Sequence, residues 1–203
     1  MKVKLWTIQD ERGWNELQEK GVYSGKKEFV SPEFLLGYDW LRTQMEKRIG
    51  KPKQPNQYPV WAWYQSIDVT RKRPDLRTSG HLPTGKIGYR IEFEKEAKEI
   101  LLSDFVLWHW PLCYHDYIAN SEEEDIRFEK EKENQNVHGF LSGSLEKLPT
   151  SLQTKITLSW EKIFDMDFDV QYYTDSFEEK KIQATFWELK KEEITRVDRF
   201  ITR

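Results

Sequence analysis

The sequence predicts an α+β fold, and three observations predict it. Segments that alternate apolar and polar residues occur near both ends of the chain, and segments with helical spacing lie between them. Aromatic residues make up 14% of the chain and include nine tryptophans, enough large apolar side chains to build a core. With 203 residues, the chain suits a single domain over 1–203 better than two small ones.

The opening of the chain predicts a strand followed by two helices. Residues 3–9 alternate as a half-buried strand does, and Asp10 suits the N-cap of a helix that Gly21 ends. Ser31 and Pro32 suit the start of a second helix, because serine is a good N-cap and proline fits the first helical position. Its apolar spacing ends near Gly50.

The middle of the chain predicts two more strands, at residues 60–65 and 87–93, separated by a polar, turn-rich loop over 71–85. Residues 100–117 predict a short strand followed by a helix. Residues 121–137 are so rich in charge that they predict either an exposed helix or a disordered insertion within the single domain.

The last third predicts a helix, a strand and a final helix. Ser159 suits a helix N-cap, with Trp160 among the residues turned inward. Residues 181–189 predict the last strand, and residues 191–200 predict a short terminal helix.

Charge and cysteine content exclude several classes of protein. The net charge is -3 and opposite charges are interleaved, which disfavours a general nucleic-acid binder. Cys113 is the only cysteine, so an intramolecular disulfide and a multi-cysteine zinc site are excluded, and the cytoplasm is the expected compartment. The N-terminus lacks the apolar stretch of a signal peptide, and no segment approaches the roughly 18 apolar residues of a membrane span. We expect no membrane contact.

The aromatic side chains have two interpretations. Indole rings stack on bases and on nicotinamide, but they also fill cores, and most of the nine tryptophans suit a core. Trp63 is the best exception, because it borders the polar loop. In that loop Arg73 and Arg77 belong to a cluster of basic residues. Arginine guanidinium groups suit phosphate oxygens, although a solvated loop explains these residues too. No glycine-rich phosphate motif accompanies them.

Residues 103–115 combine a serine, an aspartate, two histidines and the cysteine. They suit a nucleophile with its base, or a metal site, but His109 and His115 are six apart and do not share a helix face. The alternative is structural, with Asp104 as a helix cap and His109 as a partly buried, hydrogen-bonded histidine. We expect no metal.

The late strand carries the remaining candidates, Gln183 and Glu188. Gln183 and Thr185 lie on one strand face and Glu188 on the other. Such groups can hold a ribose hydroxyl or stabilise an oxocarbenium-like centre, or they can be ordinary residues of an edge strand.

Five ordered motifs resemble the bacterial family known as domain of unknown function 3841. They are LWTIQ from Leu5, VWAWYQ from Val60, LLSDF from Leu101 with Trp108-His109, Ser159-Trp160 with Ile163-Phe164, and IQATFWEL from Ile182. The resemblance spans nearly the whole chain, and the family name carries no activity.

The opening strand, helix and glycine are also similar to the start of ADP-ribosyltransferase-like domains, which include toxins. This resemblance implies a compact split sheet, antiparallel or mixed, with flanking helices and a cleft that binds NAD as substrate. Three strand positions would hold the site. Their candidates are Thr7 or Gln9, then Trp63 or Tyr64, then Gln183 or Glu188.

The resemblance implies a bacterial toxin or phage-defence effector, with a macromolecular acceptor or an antitoxin as partner. The chain departs from the pattern, because the first strand lacks the usual histidine or arginine and Gln183 stands where a glutamate is clearest. An amide stabilises an oxocarbenium-like state less well than a carboxylate.

Two functional hypotheses follow. In the first, the chain binds NAD or a related nucleotide, with Gln183 and Glu188 as catalytic residues. Its nucleotide contacts would be Thr7, Gln9, Trp63, Tyr64, Arg73 and Arg77. In the second, the chain is a non-enzymatic module whose aromatic groove binds a peptide or a nucleotide-containing partner.

Overall fold

The computed structural model describes residues 1–137 and 145–203. Its α-helices lie between groups of strands along the chain. The strands are β1 Lys2–Asp10, β2 Val22–Lys26, β3 Gln57–Tyr58, β4 Val60–Gln65, β5 Ile87–Glu96, β6 Leu101–Asp104, β7 Ile182–Phe186, β8 Glu188–Lys190 and β9 Ile194–Ile201. The α-helices are α1 Glu11–Lys20, α2 Leu35–Ile49, α3 Glu122–Asn134 and α4 Thr150–Ser159, and a π-helix covers Trp110–Tyr114.

The fold is α+β, with two sheets. The larger sheet has six antiparallel strands in the order β6-β7-β4-β1-β5-β9, and the smaller has three in the order β3-β2-β8. Because successive side chains of a strand point to opposite faces, every strand of the large sheet contributes to both. We call the face that carries Trp6 and Trp63, which pair across β1 and β4, the front face and the opposite one the back face.

Each face of the large sheet has its own hydrophobic cluster. On the back face Leu5, Ile91 and Phe186 pack with Leu17 of α1 and Leu189 of the small sheet. On the front face Trp61 and Leu101 pack with residues of α2, α3 and α4, including Leu41 and Ile156. The helices therefore cover the front face around Trp61 of β4 and Leu101 of β6, next to Trp63 and Gln183, which stay partly exposed.

Local signals predicted the first strand, the first helix and the end of the second helix correctly, whereas β2 was not predicted and Pro32–Phe34 forms a 3₁₀ helix before α2 starts at Leu35. The Asp10 carboxylate accepts a hydrogen bond from Gly13 N and caps α1. Gly21 ends that helix with φ of 71°, a conformation that glycine adopts without a steric penalty. The second helix also ends as predicted, at Ile49 before Gly50.

The predicted terminal helix is wrong, because this segment is strand β9 on the edge of the large sheet. Arg196 pairs with Glu92 and Ile194 with Phe93, so one extra residue lies between two pairs that are adjacent on β5. This irregularity places Ile194 and Val197 on the back face three residues apart. A spacing of three imitates a helix.

Two other predictions near the C-terminus are also corrected. Ser159 is the last residue of α4 and precedes a 3₁₀ helix over Trp160–Phe164, but it does not cap that helix, because its hydroxyl donates to Ile156 O and accepts from Ile118 N. Residues 181–189 form two strands, because the chain passes at Trp187 from the large sheet to the small one. Of the two alternatives for residues 121–137, the structure shows a helix, α3, with Phe128 buried.

Candidate functional site

The structure divides the predicted site residues among three places. Trp63 and Gln183 pair directly across β4 and β7 on the front face. Thr7 and Gln9 lie one and three positions from Trp6, and Tyr64 follows Trp63, so all three are on the back face. The others lie on the loop between β4 and β5 or on the small sheet. They are Arg73, Arg77 and Glu188.

The members of the back-face group contact one another and the neighbouring strands. Thr7 Oγ1 donates to Trp61 O at 2.8 Å and accepts from Gln9 Nε2 at 2.8 Å. Tyr64 packs against the back-face cluster, with the Lys72 ammonium 4.9 Å from the centre of its ring. These contacts tie β1, β4 and the polar loop together, a structural role.

The three remaining predicted residues are held by ion pairs. Arg73 donates to Asp198 Oδ2 at 2.6 Å on the front face of β9, whereas the exposed Arg77 pairs with its loop neighbour Asp75. Glu188 on β8 accepts a hydrogen bond from Lys53, and this bond raises the pKa of Lys53.

A row of five side chains crosses the front face from β6 to β5, one on each strand. Each member pairs directly with the next, so their side chains point the same way and adjacent Cβ atoms lie about 4.5–5.5 Å apart. We call this set the front-face row. Its members, in order across the sheet, are Ser103, Gln183, Trp63, Trp6 and Glu92.

One end of the row has unused hydrogen-bonding capacity. Ser103 Oγ is fully buried without a hydrogen-bond partner in the described part of the chain. Among the same residues, the neighbouring Gln183 amide makes no hydrogen bond, and the side chain is partly exposed. Buried polar groups are nearly always paired, so an unpaired hydroxyl beside a free amide suits a ligand or an ordered water.

An aromatic wall stands beside this polar end. The ring centres of Trp63 and Phe105 lie 5.2 Å apart, and His109 meets Phe105 edge-on at 5.1 Å. His109 Nδ1 is 3.1 Å from the carbonyl oxygens of Phe105 and Val106. These acceptors place the hydrogen on Nδ1, so the neutral ring keeps Nε2 as an acceptor.

The other end of the row is a carboxylate that the sequence analysis missed. Glu92 Oε2 accepts from Trp6 Nε1 at 2.9 Å, and Oε1 lies 3.2 Å from Lys4 Nζ. Burial alone would raise the pKa of Glu92, but the hydrogen bonds from Trp6 and Lys4 and the charges of Lys4 and Arg73 outweigh burial and lower it. The alternation of β5, which puts Arg90 and Glu92 on one face, could have indicated it.

Residues 4–195 match the model of a family described as Domain of unknown function (DUF3841). The chain belongs to the DUF3841 family. The match includes every member of the front-face row, and it confirms the first of the two resemblances. No curated protein and no solved structure matches this DUF3841 chain.

Asp104, next to the row in this DUF3841 protein, has a structural role. Its Oδ1 accepts from Val106 N at 2.8 Å and from Leu107 N at 3.2 Å, so it caps the turn after β6, whereas His109 is the N-cap residue of the π-helix. Its Oδ2 lies 3.2 Å from Lys180 Nζ, with both side chains fully buried.

The described ranges, 1–137 and 145–203, lack two kinds of feature. They contain no group of three or more histidine, cysteine, aspartate or glutamate side chains placed to hold a metal ion. They also contain no helix with the length and apolar character that a membrane span requires.

Proposed function

We propose that this chain binds NAD or a related nucleotide on the front face, in the manner of an ADP-ribosyltransferase-like domain. One observation carries the proposal. The buried, unpartnered Ser103 Oγ and the free Gln183 amide are neighbours on the front face, and Gln183 lies directly beside the partly exposed Trp63. A flat ring stacked on Trp63 would bring its polar edge to the Gln183 amide, with the Ser103 hydroxyl on the far side of Gln183.

The contacts available suit a nicotinamide or a base. Stacking a base on an aromatic side chain contributes about 1–3 kcal/mol, and the Trp63–Phe105 wall offers such a surface. The Gln183 amide offers both a donor and an acceptor, and the Ser103 hydroxyl offers the same pair. These are the groups that a carboxamide or a base edge requires.

The same geometry favours binding over rapid transfer of ADP-ribose. Cleavage of the nicotinamide bond develops positive charge on the ribose, which the neutral Gln183 stabilises weakly. Glu92 is three strands from Gln183, about 14 Å at the usual strand spacing. Glu188 belongs to the small sheet. We therefore assign Gln183 the position next to the ribose and expect slow turnover on a macromolecular acceptor, as in a toxin or phage-defence effector.

Calorimetric titration with NAD tests the proposal, with an NAD-consumption assay on the same samples. Gln183→Ala should weaken binding about two- to tenfold, the equivalent of one or two hydrogen bonds. Trp63→Ala should weaken it by roughly fivefold or more, because stacking is lost. Gln9→Ala is the matched control, because it removes the same amide from the back face.

Absence of binding at millimolar NAD would refute the nucleotide proposal. Equal losses for Gln183→Ala and Gln9→Ala, with folding intact by circular dichroism, would show that the front face is not the site.

A second function is favoured by the extent of the aromatic surface. The ring centre of Trp110 lies 5.0 Å from that of Tyr114 and 5.4 Å from that of Tyr173. Tyr173 in turn contacts Tyr172, which is 81% exposed. A non-enzymatic module would use these rings for a peptide. It predicts that Tyr172→Ser abolishes peptide capture while Gln183→Ala leaves it intact, which a pull-down of the two variants distinguishes.

A further inference from the structure

A small cavity of about 190 Å³ lies where the end of α2, the loop after it, the end of β5 and strand β8 meet. By the share of liquid volume that one water occupies, it holds about six waters. Four lysines and two glutamates line it, with one tryptophan and one isoleucine. The lining residues are Ile49, Lys51, Lys53, Lys95, Glu99, Trp187, Glu188 and Lys190.

Carboxylates neutralise only part of this positive charge. Lys95 is 4% exposed, and its ammonium lies 2.8 Å from Glu193 and 3.6 Å from Glu99. Lys53 pairs with Glu188. Lys51 and Lys190 also line the cavity, and neither has a carboxylate partner within residues 1–137 and 145–203. Two of the lysines that line the cavity therefore have no carboxylate counter-ion from the described chain.

We propose that this cavity binds a phosphate-type oxyanion, either inorganic phosphate or the end of a small phosphomonoester. Lysine binds phosphate as a flexible point charge, and several ammonium groups round one cavity suit an anion with three or four oxygens. Lys51 and Lys190 would contact it directly. The buried Lys95 is already neutralised by Glu193 and Glu99, so the surplus positive charge comes from Lys51 and Lys190. The site does not depend on nucleotide binding at the front face.

Glu188 has a defined part in this site. Its carboxylate lines the cavity and holds Lys53, so it repels an incoming anion and occupies a cation that could bind it. Removing its charge should therefore strengthen anion binding. A catalytic role for Glu188 in ADP-ribose transfer predicts no effect on phosphate binding, so the two roles are separable.

The experiment is a titration of the full chain with inorganic phosphate, in which ³¹P line broadening and calorimetry measure binding. The same titration is repeated with methyl phosphate. Lys51→Gln and Lys190→Gln should each weaken phosphate binding about three- to tenfold, because each removes one charge-assisted hydrogen bond at a partly exposed site. Lys191→Gln should change nothing, since Lys191 is the exposed neighbour that does not line the cavity. Glu188→Gln should tighten binding.

Several outcomes would overturn the proposal. They are absence of binding at millimolar phosphate, equal effects of Lys190→Gln and Lys191→Gln, and weaker binding in Glu188→Gln with folding preserved. Tighter binding of methyl phosphate than of phosphate identifies a phosphomonoester as the ligand, and the reverse identifies the free ion. The NAD titration of Gln183→Ala reports on the front face alone, so the two proposals fail separately.

Discussion

Replacing Lys180 by methionine should destabilise the fold by about 3–5 kcal/mol, because it leaves the buried Asp104 carboxylate without its cation. The Lys180 ammonium also donates to Phe168 O at 2.6 Å and to Asp175 O at 2.8 Å, so two further acceptors lose a donor. Methionine has a similar length and no charge. The lost free energy of unfolding therefore reports the missing charge and hydrogen bonds rather than a cavity.

The magnitude is large for a protein of this size. Domains are typically stable by 5–15 kcal/mol, so the substitution removes a substantial part of the total. At about 2–4 °C per kcal/mol for 150–250 residues, Tm should fall by roughly 6–20 °C. Urea unfolding followed by circular dichroism measures the change, with Lys181→Met as the control, since the adjacent Lys181 is exposed.

The ion pair also supports the front-face row. Phe105, which forms the aromatic wall with Trp63, donates its backbone N–H to Lys181 O at 2.8 Å, so the ends of β6 and β7 are joined beside the pair. Lys180→Met should therefore weaken NAD binding as well as stability.

A double-mutant cycle provides the refutation. Asp104→Asn keeps an oxygen for the cap of Val106 but removes the charge. Combined with Lys180→Met, it should destabilise by about 1–3 kcal/mol less than the sum of the single variants. Additive effects, or a Lys180→Met variant within 1 kcal/mol of the parent, would refute the reasoning.

Two further predictions concern packing and pH. Gly37→Ala in α2 should destabilise the fold by about 1–3 kcal/mol although alanine has the better helix propensity, because its Cβ would lie 2.5 Å from Pro111 O. Thermal melting measures the change, and an unchanged melting temperature would contradict the close approach. Burial alone would raise the pKa of Asp198, but the bonds from Arg90, Arg196 and Arg73 lower it. The stabilisation from Asp198 is therefore present above its unfolded-state pKa near 3.8, and it is lost as the pH falls through its lower folded-state pKa. Urea unfolding across that window should show a smaller loss in Asp198→Asn, and an equal loss would exclude this carboxylate.

Short-range chemistry made the first elements predictable. The Asp10 cap and the left-handed Gly21 depend only on residues within one helix, so the sequence contains all that decides them. The last strand was not predictable in this way. Its identity depends on pairing with β5, about 100 residues earlier, and its irregularity hides the strand period.

The candidate site depends on pairing between distant strands. The sequence of a strand shows which of its residues share a face. It does not show which of its two faces lies on the same side of the sheet as a given face of another strand. Thr7 and Trp6 are adjacent on β1, yet only Trp6 shares a face with Trp63 and Gln183. Ser103 lies 80 positions from Gln183, so no local pattern could have joined them.

The front-face row also bears on what kind of nucleotide site this chain can form. The only carboxylate in the row is Glu92, and the Trp6 indole holds it three strands from Gln183. A bound ribose at Gln183 would therefore meet an amide and a hydroxyl but no negative charge. Ground-state binding needs only complementary hydrogen bonds and stacking, whereas bond cleavage needs a group that stabilises the developing cation. NAD binding with little consumption is the outcome that this arrangement predicts, and rapid consumption would require a carboxylate from outside the row.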